Sequence, residues 1–148
     1  MNHKIRLLLI DDNREIIDML RLGLETYFII ESAENGEIAL EKIYAFKPDI
    51  AIVDIKMPHM NGFQFIKAIR GDPATADLPL IILTAMPVES SQFEGFASGA
   101  DYFLTKPVMP SELLEVIPKI IAINQSERHQ KYQNFAQKAM EEYPNGNL

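Results

Sequence analysis

Five polar residues stand at or just beyond the ends of short apolar runs, and their types suit one piece of chemistry. Asp11 and Asp12 follow the run 5–10, Asp54 follows 50–53, Thr84 follows 80–83, and Lys106, with Pro107 behind it, lies just past 102–104. Three carboxylates brought together repel one another and cannot all stay ionised cheaply without a cation. A divalent ion resolves the repulsion, and hard oxygen donors with several retained waters are what Mg²⁺ prefers. A lysine and a hydroxyl in the same place suit a phosphoryl ligand, whose charge they would bind beside the metal. Asp54, the lone strand-end carboxylate of the set, is then the natural nucleophile, since a carboxylate forms an acyl phosphate. Singly, each residue has a plainer use: the Asp pair as a helix cap or solvated strand end, Thr84 as a hydroxyl bonded to backbone, Lys106 as a surface lysine. Their ordered succession carries the argument.

The elements that must position these residues are legible in the hydrophobic pattern. The runs 5–10, 28–33, 50–53, 80–83 and 102–104 have strand length, and the segments between them place apolar residues at helical spacing, as in Ile16, Ile17, Leu20 and Leu24, or Phe63, Ile66 and Ile69. The order is strand then helix, five times. Runs such as Leu7-Leu8-Leu9-Ile10 and Leu80-Ile81-Ile82-Leu83 do not alternate, which suits strands covered on both faces in a parallel sheet. Right-handed crossovers then predict an α/β fold, a doubly wound five-stranded parallel sheet in a three-layer sandwich. In such a sheet ligands bind beyond the carboxyl ends of the strands, the rim on which the five polar residues fall. Asn13 is placed to cap the first helix, Asn35-Gly36 and Asn61-Gly62 to open the second and third, and Gly71-Asp72-Pro73 to close the third. The pattern breaks near Asn124, so residues 1–124 are expected to form the domain and 125–148 a C-terminal tail. Tyr132, Phe135, Ala136, Ala139 and Tyr143 share one face of a helix running to about 143, a stripe that suits either partner or self association or a surface-docked extension.

Composition removes other classes. A chain of 148 residues, 47% apolar, buries one sizeable core. Without cysteine there is no disulfide, zinc-thiolate site or thiol nucleophile. A net charge of −7 argues against a grip on nucleic-acid backbones. No apolar run approaches the roughly 20 residues that span a bilayer, and the start lacks a signal-peptide pattern, so a cytoplasmic protein is expected.

The segments Leu8-Leu9-Ile10-Asp11-Asp12-Asn13, Asp54-Ile55-Lys56-Met57-Pro58-His59-Met60-Asn61-Gly62, Leu83-Thr84-Ala85 and Gly99-Ala100-Asp101-Tyr102-Phe103-Leu104-Thr105-Lys106-Pro107 resemble the signature segments of response-regulator receiver domains. The resemblance spans about residues 4–124 and implies the flavodoxin-like or CheY-like (βα)5 sandwich. It implies that Asp54 is the phosphoacceptor, served by a sensor histidine kinase or a histidine phosphotransfer protein. It further implies that Asp12, Asp54 and the Lys56 carbonyl ligate Mg²⁺ while Asp11 helps through water. Thr84 would bind a phosphoryl oxygen in the active state, Lys106 would pair with the phosphate, and Phe103 would be the switch aromatic. Such a domain acts on a downstream protein through the face made by the fourth helix, fifth strand and fifth helix. That face, or the tail, is also where a homodimer would form.

Some details modulate the pattern. Lys56 puts a long cation at the mouth of the site, and Met86, two residues beyond Thr84, offers no hydrogen bond to an attacking water, so slow self-hydrolysis is expected. Pro118 falls inside the fifth helix and should kink it. A phosphohydrolase of the haloacid-dehalogenase type would need a second acid two residues after the nucleophile, where Lys56 stands. A nucleotide-binding fold would want a glycine-rich loop after the first strand, where Asp11-Asp12-Asn13-Arg14 would repel phosphate. A receiver used only as a binding module would not need the full acid, threonine and lysine set.

Overall fold

In the computed structural model, residues 4–85 and 99–123 are described. Their elements run β1 (Ile5–Ile10), α1 (Arg14–Leu24), β2 (Phe28–Ala33), α2 (Gly36–Phe46), β3 (Ile50–Asp54), α3 (Gly62–Gly71), β4 (Leu80–Thr84), β5 (Tyr102–Thr105) and α4 (Pro110–Ala122). The helix expected between β4 and β5, Met86 and the tail with its stripe around Phe135 lie outside the described residues. The expected fifth helix is therefore α4 here.

All neighbouring strands are parallel, in the order β2-β1-β3-β4-β5. β3 and β4 are buried along their whole length, as their unbroken apolar runs predict. Two cores result, one on each face. Leu7, Leu9, Ile52, Ile81 and Leu83 point to α1 and α4, whereas Leu8, Ile10, Val53, Leu80 and Ile82 point to α2 and α3. This alternation fixes register, since a slip of one residue would exchange the faces. β3, β4 and β5 each reach one residue past their apolar runs, because Asp54 pairs with Leu83, and Thr84 with Thr105.

The helix starts follow local chemistry. The Asn13 side chain accepts from the Glu15 and Ile16 amides, and Asn35 accepts from the Ile38 amide. Asn61 and Gln64 form a reciprocal capping box at the start of α3. α4 continues through Pro118, with Leu113, Val116, Ile117 and Ile120 buried around it.

A buried ion pair ties the lower end of the sheet together. Asp101, fully buried, meets the Arg70 guanidinium at 2.8 Å and accepts from the Leu80 amide at 2.9 Å. Arg70 also donates to the carbonyls of Gly99, Ala76 and Leu78, joining α3 to the entries of β4 and β5. Breaking such a pair strands a charge in the core. Asp101→Ala should therefore lower stability by about 3–5 kcal/mol, read as a shift of the urea midpoint. A loss under about 1 kcal/mol would mean that the guanidinium finds solvent instead.

Candidate functional site

The carboxyl ends of β1, β3, β4 and β5 bring the expected residues to one rim. Asp54 closes β3 and Thr84 closes β4, both buried, while Asp11 lies one residue past β1. Asp11 and Asp54 are only 5% and 6% exposed, whereas Asp12 faces solvent. Carboxylate oxygens of the three acids lie within 4.8 Å of one another. Lys106 Nζ reaches over from the end of β5, 2.9 Å from Asp11 Oδ2 and 3.4 Å from Asp54 Oδ1. A cavity of about 330 Å³ adjoins the acid pair, walled in part by Arg14, Asp18, Glu34 and Lys42.

Backbone contacts hold these groups in place. The Asn13 amide donates to Asp11 Oδ1 at 2.9 Å, so the residue that caps α1 also orients the acid before it. The Lys106 amide donates to the Thr84 carbonyl at 2.8 Å, fixing where the lysine leaves the sheet. Behind Asp54, the Gly62 amide donates to the Ile55 carbonyl at 2.9 Å. A Cβ on Gly62 would stand 2.4 Å from the Asp54 carbonyl oxygen, so glycine is required for α3 to start this close to β3. The loop between them carries His59 at φ 69° and rests Met60 on Gly36. Lys56 is exposed, as expected of a cation at the mouth. Phe103 is partly buried and packs against the α2 and α3 side of the core.

The electrostatics follow from crowding. Burial first, and then the Asp11 charge, raise the Asp54 pKa from 3.8 to about 6, against the lowering effect of Lys106. For Lys106, burial works to lower the pKa, but Asp11 and Asp54 outweigh it and the net shift is upward. One lysine therefore does not balance three acids. The buried Asp11 Oδ2 atom has the Lys106 ammonium at 2.9 Å as its charged partner, which leaves Asp12 without an ion pair among the described residues. An all-oxygen donor set of three crowded acids and a raised carboxylate pKa fit a hard divalent cation.

The five expected residues stand at or just past the strand ends, whereas sequence reasoning missed the contacts that support them. The Asn13 amide and the Gly62 approach are backbone functions, signalled only by residue type at a helix start. The Arg70 and Asp101 pair had one signal, an acid directly before the apolar run of β5.

A raised carboxylate pKa destabilises the folded state wherever the group is ionised. Below pH 4 Asp54 is protonated folded or unfolded, and the penalty vanishes; it grows as pH rises and is complete above about 6. The shift amounts to roughly 3 kcal/mol at most, and solvent at the open rim reduces it to about 1–2 kcal/mol. Asp54→Asn should thus stabilise the metal-free protein by that amount at pH 7–8, with the gain fading toward pH 4. Thermal melts across this range check it, and a destabilised Asp54→Asn at pH 8 would refute the crowding argument.

Residues 7–118 match the family model described as the response regulator receiver domain. The chain is 42% identical over 118 residues to the response regulator GtcR of Aneurinibacillus migulanus, covering 78% of this chain and 46% of that protein. It is 32% identical over 128 residues to the response regulator Rre1 of Synechocystis, covering 85% of this chain and 55% of that one. The chain thus spans about half the length of the curated relatives it matches. Among solved structures, a putative response regulator from Chloroflexus aurantiacus superposes with a TM-score of 0.78 at 35% identity, over 82% of this chain and 100% of that one. The chemotaxis response regulator CheY4 of Vibrio cholerae gives 0.74 at 32%, over 80% and 99%. With its five-stranded parallel sheet and the acid, threonine and lysine set on one rim, the chain belongs to the response-regulator receiver-domain family of two-component signalling.

Proposed function

We propose that Asp54 is the phosphoacceptor and that a sensor histidine kinase or a histidine phosphotransfer protein is its donor. The observation that carries this reading is the convergence of Asp11, Asp12 and Asp54, with carboxylate oxygens within 4.8 Å of one another, and of Lys106, which pairs with Asp11 and Asp54. An Asp54 carboxylate oxygen attacks the phosphorus of a phosphohistidine, the P–N bond breaks, and the imidazole leaves as the acyl phosphate forms. Attack needs the ionised carboxylate, and the Lys106 charge favours that form. Once the phosphoryl group is in place, Lys106 faces its new negative charge, and the Thr84 hydroxyl supplies a hydrogen bond from the end of β4.

Asp12, Asp54 and the backbone carbonyl of Lys56 would hold Mg²⁺, with Asp11 acting through water. When bound, the ion neutralises charge on the transferring phosphoryl group. Phe103, on β5 and packed against the α2 and α3 core, would respond to movement of Thr84 and alter the face made by the expected fourth helix, β5 and α4. That face is the proposed contact for a downstream protein or a second copy; the tail is the other candidate for self-association. The chain is a signalling phosphoacceptor whose chemistry is confined to its own phosphorylation and dephosphorylation. No helix among the described residues is long and apolar enough to cross a membrane, and a cytoplasmic setting beside the kinase's catalytic part is part of this proposal.

Incubation with acetyl phosphate and Mg²⁺ should add one phosphoryl group by intact mass, and Asp54→Asn should abolish it. A variant labelled as fully as wild type would place the acceptor elsewhere. In a Mg²⁺ titration, Asp12→Ala should weaken affinity by about tenfold or more, the loss expected for one direct carboxylate. Unchanged affinity would move the metal away from this rim.

A further inference from the structure

Among the described residues β2 is an edge strand, bonded to β1 on one side with no described strand on the other. It begins with Phe28-Ile29-Ile30 directly after Tyr27, and Tyr27 and Ile29 are 58% and 42% exposed. An uncharged, aromatic and β-branched stretch on an open edge is a template for strand addition. The direction of its free groups follows from one bond. The Asp11 amide donates to the Ala33 carbonyl at 3.1 Å, so Ala33 faces β1, and alternation turns Phe28, Ile30 and Ser32 outward.

Two of those three outward carbonyls are taken by cations. Arg21 of α1 donates from Nη1 to the Ile30 carbonyl at 3.1 Å and from Nη2 to the Ser32 hydroxyl at 3.1 Å. Lys42 of α2 donates to the Ser32 carbonyl at 2.5 Å and pairs with Glu31 at 3.3 Å. α1 and α2 lie on opposite faces of the sheet, so the two side chains fold around the edge from both sides. Both side chains also line the cavity beside Asp11 and Asp12, but the contacts they make are with the β2 edge and Glu31. Both are charge-assisted, and a strand added here would have to displace them and face two cations.

We infer that Arg21 and Lys42 close the β2 edge against pairing with a second copy of this chain. Self-association is thereby left to other surfaces.

The test uses the full chain. Arg21→Met with Lys42→Met keeps much of both stems while removing the donors and charges. At equal concentration its mass by light scattering should rise to about twice that of wild type or more. The amides of Ile30 and Ser32 should become protected from hydrogen exchange in the associated form. Adding Ile29→Lys, at an exposed position on the same strand, should return the mass to that of wild type. Lys42→Met alone, which changes a partly exposed side chain, tests the same edge if the double variant does not fold, and its mass should rise with concentration more steeply than that of wild type. Wild-type mass in a folded donor-free variant would overturn the inference. So would association that leaves Ile30 and Ser32 exchanging fast or that Ile29→Lys does not reverse.

Discussion

The repulsion among Asp11, Asp12 and Asp54 is the constraint around which the rest of the molecule is arranged. Three carboxylates lie within 4.8 Å of one another, and the one lysine among them pairs with the two that are almost wholly buried. An arrangement that costs free energy persists only where the surrounding structure over-determines it. Here that structure is a parallel sheet with a core on each face, whose central strands cannot slide without exchanging faces. The strain in charge and the rigidity of the sheet belong together. A softer scaffold would let the acids separate, and the cation and phosphoryl affinity proposed for the rim would go with them.

The supports of the rim are mostly backbone. The Asn13 amide orients Asp11, the Thr84 carbonyl receives Lys106, and Gly62 lets α3 begin against the Asp54 carbonyl. Backbone contacts of this kind survive substitution of exposed side chains. They do depend on helix starts being set to the residue, which is the role of Asn13, Asn35 and Asn61 as caps.

These dependencies explain which features could be read in advance. β1, β3 and β4 were the most legible strands, because the unbroken apolar runs 7–10, 50–53 and 80–83 between helical segments have few other folded uses. The rim followed once parallel topology was inferred, since all strands then end on one side. The pairing of Asp101 with Arg70 was not legible, because it joins residues 31 apart through a guanidinium whose other partners are carbonyls that any sequence supplies. The division between buried Asp11 and exposed Asp12 was likewise hidden, because adjacent acids differ only in which way the chain turns after β1. Pro118 falls inside α4, which runs on across it with Val116, Ile117 and Ile120 packed on the core side.

The positive side chains follow a common use that composition alone conceals. Arg6 donates to the Phe46 carbonyl, Arg21 to Ile30, Lys42 to Ser32, Arg70 to three carbonyls, and Lys106 is drawn to the buried acids. In a chain with 14 basic residues against 21 acidic ones, cations held in this way are less available to an external partner. Much of the remaining surface charge is negative. That negative balance raises the local concentration of divalent cations around a rim whose three acids outnumber the Lys106 charge set among them. The same charges that hold the backbone together therefore also bear on what approaches the site.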